Sequence, residues 1–90
     1  VGEEQNAGGA LGAFAFDPAR ALPRKRSLTI AGHRTSITLE DAFWDELKRA
    51  ALEAGLPVAA LVSAIDGTRG AASLSAAIRV FLLHRRQREG

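Results

Sequence analysis

Arg34, Ser36 and Thr38 take every second position of the stretch RTSITL, and Thr35, Ile37 and Leu39 fill the positions between. Strict alternation is the period of a β-strand, whose successive side chains point to opposite faces. One face therefore presents a guanidinium with five N–H donors beside two hydroxyls that both donate and accept. This is the chemistry of directional hydrogen-bond recognition. It is not the chemistry of nucleophilic catalysis, because Ser36 has no base within reach and His33 would point to the opposite face. Ser73 also lacks a nearby base. The chain has no Cys, no paired carboxylates in an apolar pattern, no phosphate-cradling Gly-rich loop and no metal-ligand spacing. The two histidines, His33 and His84, lie in different segments. No enzyme, metal site or cofactor is expected.

The element carrying this face must itself be held in place. The stretch SLTIAGHRTSITL is rich in Thr and Ile and reads as β-structure, but its phase slips. Leu28 and Ile30 are even-numbered apolar positions, whereas Ile37 and Leu39 are odd. Either AGHR turns the chain between two strands or Gly32 marks a bulge. From Asp41 the period becomes helical, with Phe43, Leu47, Ala50, Ala51 and Ala54 on one stripe that Trp44 widens. Glu40, Asp41, Asp45 and Glu46 sit at the positive end of that helix, and Gly55 is placed to stop it. Val58, Leu61, Val62 and Ile65 predict a second helix, with Pro57 tolerated near its start. Ser73 is a suitable N-cap for a third, which buries Leu74, Ile78, Phe81 and Leu82. Residues 1–24 have Gly and Pro clusters without a period and are expected to form a flexible arm, with AFAF able to dock on the body. The domain proper is then 25–90, with its last helix over about 73–87. No internal repeat is evident.

Ninety residues with a net charge of +2 allow one small domain. Its core is too small to be secure alone, and without Cys the remaining supplement is oligomerisation. Basic residues (Arg20, Arg24, Lys25, Arg26, Arg34) cluster without any acid over 20–39, while 40–53 is carboxylate-rich. The pattern suggests one positive face. No run is long and apolar enough to span a membrane. The opening VGEEQNAGG lacks the basic region of a secretory signal, so a cytoplasmic location is expected. The chain opens on Val1 rather than Met, so its natural start is expected to be trimmed or misassigned.

Strand, helix, GLP break and second helix, from Arg34 to about Arg69, resemble the ribbon-helix-helix (MetJ/Arc-like) fold. More narrowly, IAGHRTSITLEDAFW resembles a bacterial set of short ribbon-helix-helix proteins, and this likeness extends through LSAAIRVFLL. The resemblance implies a mainly α fold with one short β-strand (α+β), plus an additional C-terminal helix. It further implies an intertwined homodimer, or a higher oligomer, whose strands pair between chains into an antiparallel β-ribbon. An unpaired strand supports this by itself, since its backbone groups need partners. Double-stranded DNA is the implied ligand, read in the major groove by Arg34, Ser36 and Thr38. Phosphate contacts fall to Arg24, Lys25 and Arg26, and to the amides of Val58 and Ala59 at a helix start. Ser73-Leu74-Ser75 competes with Leu56-Pro57-Val58 for that clamp. Arg85, Arg86 and Arg88 are either further phosphate contacts or a solvated helix end. The dimer core would be Ile37, Leu39, Phe43, Trp44, Leu47, Leu61, Val62 and Ile65, with Thr35 at an inward position more usually aliphatic. The implied function is sequence-specific DNA binding in transcription regulation, with no membrane or small-molecule partner. The alternative is a dimerisation or protein-interaction module.

Overall fold

The computed structural model describes residues 17–89. Most of the expected arm, including AFAF, lies outside the described residues. The end of the expected arm consists of a 3₁₀ turn, Pro18–Ala21, and the start of a strand. Asp17 caps the turn, its Oδ1 accepting from the Ala19 N–H at 3.0 Å.

Two strands are present, as the turn alternative at AGHR had it, where the resemblance implied one. β1 (Pro23–Ile30) and β2 (His33–Glu40) form an antiparallel hairpin in which Ser27 faces Ser36 and Ile30 faces His33. The connection is only Ala31 and Gly32, both at positive φ (52° and 83°). Two central residues at positive φ are the signature of the type I′ turn, whose twist matches that of the strands it joins. A two-residue turn pairs even positions of one strand with odd positions of the other. This accounts for the phase slip between Leu28/Ile30 and Ile37/Leu39. β2 therefore finds a pairing partner within its own chain, where the lone-strand argument had looked to a second chain.

Beneath the hairpin lie α1 (Asp41–Ala54), α2 (Val58–Asp66) and α3 (Leu74–Glu89). α1 ends as its sequence dictates: Gly55 adopts a left-handed φ of 70°, with Gly55 N–H donating to Leu52 O and Leu56 N–H to Ala51 O. These two bonds are the Schellman motif. Ser73 caps α3, its Oγ accepting from the Ala76 N–H at 3.1 Å.

Ile30, Ile37 and Leu39 from the ribbon pack with Leu47, Ala50 and Ala51 of α1, Leu61, Val62 and Ile65 of α2, and Ile78 and Leu82 of α3. Phe43, Trp44, Val58, Leu74 and Phe81 are half-buried around them. Ala54, expected on the buried stripe, is exposed. Every aliphatic residue assigned to a dimer core is thus buried within a single chain. The third helix is part of that core: Ile78 is fully buried and Leu82 nearly so. At about 25 cal/mol per Å² of apolar area, each such side chain contributes roughly 1.5–3 kcal/mol.

Candidate nucleic-acid interface

Cross-strand partners in a hairpin point to the same face. The register pairs Lys25 with Thr38, Ser27 with Ser36 and Thr29 with Arg34, and all six side chains are exposed. Their outward direction is enforced from the other side, where Leu28, Ile30, Ile37 and Leu39 turn into the core or against it. The expected trio Arg34, Ser36 and Thr38 therefore shares one surface with three residues of β1. The six combine two cations and four hydroxyls, with no carboxylate. Glu40, at the open end of β2, is neutralised by Arg79, whose Nε and Nη2 donate to the two carboxylate oxygens at 2.9 and 3.1 Å.

The basic run Arg24-Lys25-Arg26 does not act as a unit, because the strand splits it. Lys25 joins the outward face. Arg26 turns inward: its Nε donates to Leu39 O at 3.3 Å, Nη2 pairs with Asp41, and the guanidinium lies 4.8 Å from the Trp44 ring centroid. Arg24 reaches the other oxygen of Asp41 at 3.3 Å but keeps most of its side chain in solvent. These two guanidiniums hold the Asp41 carboxyl below the usual carboxylate range, Arg26 having the larger effect. Arg20 does the same to Asp45, tying the 3₁₀ turn to α1. The C-terminal cations are likewise engaged: Arg85 pairs with Glu46 at 3.2 Å and with Glu53, and Arg86 with Glu46 at 3.2 Å. These pairs hold α3 against α1, so Arg85 is not part of a frayed end, while Arg86 pairs with most of its side chain in solvent. Arg49 pairs with Glu46 as well.

At the start of α2, Pro57 is the N-cap and offers no side-chain hydrogen bond. Its carbonyl accepts from Ala60 and Leu61. Val58 and Ala59 are half-buried in the first turn. The rival Ser73 uses its hydroxyl to cap its own helix.

Two members of the outward face, Ser27 and Thr29, escaped the sequence reading, and Lys25 had been given another role. The missed signal is an internal repeat. KRSLTI (Lys25 to Ile30) and RTSITL (Arg34 to Leu39) match in residue type at every position except Arg26/Thr35.

A comparison with known families bears on this geometry. The ribbon-helix-helix domain family matches residues 23–85, from the first residue of β1 to within α3. The chain belongs to that family. No curated protein and no solved structure shows a match. Ribbon-helix-helix membership supports a general role in DNA binding and transcription regulation through a β-ribbon, and domains of this family are non-catalytic. Among the described residues no helix is long and apolar enough to cross a membrane, and no group of three or more His, Asp or Glu is placed to hold a metal ion.

Proposed function

We propose that the protein is a sequence-specific DNA-binding regulator of the bacterial cytoplasm, which inserts the outward face of the β1–β2 hairpin into the major groove. The observation that carries this reading is the exposed, acid-free ribbon surface set opposite a helix layer in which Arg49, Arg79, Arg85 and Arg86 are ion-paired. The major groove accommodates a two-stranded ribbon. Arg34 offers bidentate donors to guanine O6 and N7, while Ser36 and Thr38 are permissive partners of base edges. Arg24 and the first amides of α2, at Val58 and Ala59, supply phosphate contacts. Arg26 leaves that set because its donors are used inside the fold, and Lys25 leaves it because it stands on the reading face.

Replacing Arg34 with Ala should leave the thermal midpoint almost unchanged, since exposed substitutions fall within about 0.5 kcal/mol. It should cost roughly 1–3 kcal/mol of affinity for a selected duplex and relax preference at a guanine. Unchanged affinity would remove the ribbon from the interface. Arg24→Gln should weaken all duplexes alike and flatten log affinity against log salt by about 0.9.

Homodimerisation is retained on the family resemblance alone, since the strand has a partner in its own chain. Sedimentation at micromolar concentration is expected to give a dimer; a monomer would remove the dimer and leave the reading face intact. Val80 and Leu83 stay exposed and line a groove of about 370 Å³ with Ala42 and Phe43. That groove favours a protein-interaction module as the second reading.

A further inference from the structure

The repeat and the register together define a symmetry. A two-fold axis normal to the hairpin, passing between Ser27 and Ser36, carries β1 onto β2. It takes Lys25 to the place of Arg34, Ser27 to Ser36 and Thr29 to Thr38, all on the exposed face. On the inner face it takes Leu28 to Ile37 and Ile30 to Leu39, so the apolar anchoring follows the same symmetry. Alternating Ser and Thr alone would be ordinary in a half-exposed strand. Here, however, two copies of basic–Ser–Thr occur in the same order, and the pairing places the axis on the middle residue of each.

We infer that one chain reads a duplex element with two-fold symmetry of its own, Lys25-Ser27-Thr29 contacting one half and Arg34-Ser36-Thr38 the other. This rests on the DNA-binding function proposed above and deepens it, since β1 becomes a second specificity determinant beside β2. Both Lys and Arg pair with guanine O6 and N7, Arg with the more rigid fork. Lys25 and Arg34 are the corners of a diagonal. Along the ribbon they stand four residues apart, about 14 Å at the strand rise. This corresponds to about four base-pair steps of duplex at 3.4 Å each. The expected element is a short inverted repeat with a guanine on each strand at about that spacing. The Arg34 half should be the more strictly specified. Four hydroxyls near the axis tolerate several bases there, so the centre should be weakly defined.

The two cations lack any charge partner among the described residues, whereas the inner-face exception has a structural cause. The axis would place Arg26 where Thr35 stands, and Arg26 is the residue that bonds Leu39 O and Asp41 and covers Trp44. The symmetry is broken only where the hairpin must be fastened to α1.

The test is selection of binding duplexes from a randomised double-stranded DNA library with the full chain, followed by titration of the selected duplex. The variants are Lys25→Ala, Arg34→Ala, Ser27→Ala with Thr29→Ala, and Lys25→Arg, each checked for an unchanged thermal midpoint. The expected result is an inverted repeat read by one hairpin per element, each chain of a dimer taking an element of its own. Lys25→Ala and Arg34→Ala should each cost roughly five- to 150-fold in affinity and relax opposite halves. Lys25→Arg should make the two halves equally strict. If Arg34→Ala loses affinity while the β1 variants lose none, β2 reads alone; this overturns the inference but leaves the proposed function standing. An element without two-fold symmetry, two hairpins on one element, or a uniform loss on every duplex for Lys25→Ala overturns it in the same way. If no sequence is enriched, or no variant matters, both the inference and the proposed function fail.

Discussion

The two faces of the hairpin use the same residue types for opposite ends. On the inner side, Arg26 sits half-buried between Asp41, the Leu39 carbonyl and the Trp44 ring. On the outer side, Arg34 is exposed with no such set of partners among the described residues. The helix layer repeats the inner pattern, with Arg79 on Glu40 and over Phe43, and Arg85 on Glu46 and Glu53. An arginine whose donors are already satisfied holds structure together. One that projects from a stiff ribbon is available to a ligand. Net charge does not separate these cases; strand parity does.

The largest effect expected follows from parity between adjacent residues. Leu39 has no exposed surface, and Leu39→Ala should cost about 2–5 kcal/mol in chemical denaturation, through lost burial and the cavity left behind. Its neighbour Thr38 is exposed, and Thr38→Ala should stay within about 0.5 kcal/mol. Similar losses for both would show that the two faces are not distinct.

A smaller effect separates the arginines. Arg26→Ala should lower stability by on the order of 1 kcal/mol for the cation–π contact over Trp44, with the hydrogen bond to Leu39 O adding to that. Arg34→Ala should lower affinity without a comparable loss of stability. Denaturation and DNA titration of the same two variants should therefore give opposite rankings.

Much of this division could be read before any coordinates. Alternation in RTSITL assigned Arg34, Ser36 and Thr38 to the outside correctly. The α1 stripe through Leu47, Ala50 and Ala51, the stop at Gly55 and the Ser73 cap follow from local rules that tertiary context did not override. Residues before Ser27 resisted because a strand opening in Pro-Arg-Lys-Arg offers almost no apolar alternation, so Pro23 to Arg26 resembled a linker. The fate of Arg26 and Arg85 was illegible for a different reason. Which carboxylate each meets depends on helix packing, which periodicity does not specify.

Acid should act on the fastened side alone. Glu40 is held below the usual carboxylate range by hydrogen bonds from Arg79 and then by its own backbone amide, Asp41 chiefly by Arg26 and Asp45 chiefly by Arg20. A carboxylate depressed in the folded state stabilises the fold fully above its unfolded pKa of about 4. That contribution is lost as pH falls through the lower folded values. Stability followed by denaturation should be flat down to about pH 4 and then decline, and Asp41→Asn should shrink the decline. Salt should blunt it as well, because the pairs are partly exposed.

The smallest expected effect lies at the turn joining the two halves of the ribbon. Ala31 holds φ at 52°, and Gly32 follows at 83°. Gly accepts that conformation freely, whereas a residue with a Cβ is strained there by roughly 1–2 kcal/mol. Asn tolerates the left-handed region, and Asn-Gly is the preferred pair for a two-residue type I′ turn. Ala31→Asn should therefore raise stability by up to about 1 kcal/mol, read as a higher thermal midpoint. The substitution leaves both faces of the hairpin untouched, so affinity for the selected duplex should hold or rise slightly through a better-ordered ribbon. A lower midpoint would mean that the chain does not turn at Ala31-Gly32 with both residues at positive φ. The register that sets Ser27 against Ser36, and with it the pairing of Lys25 and Arg34 on one face, would then be wrong.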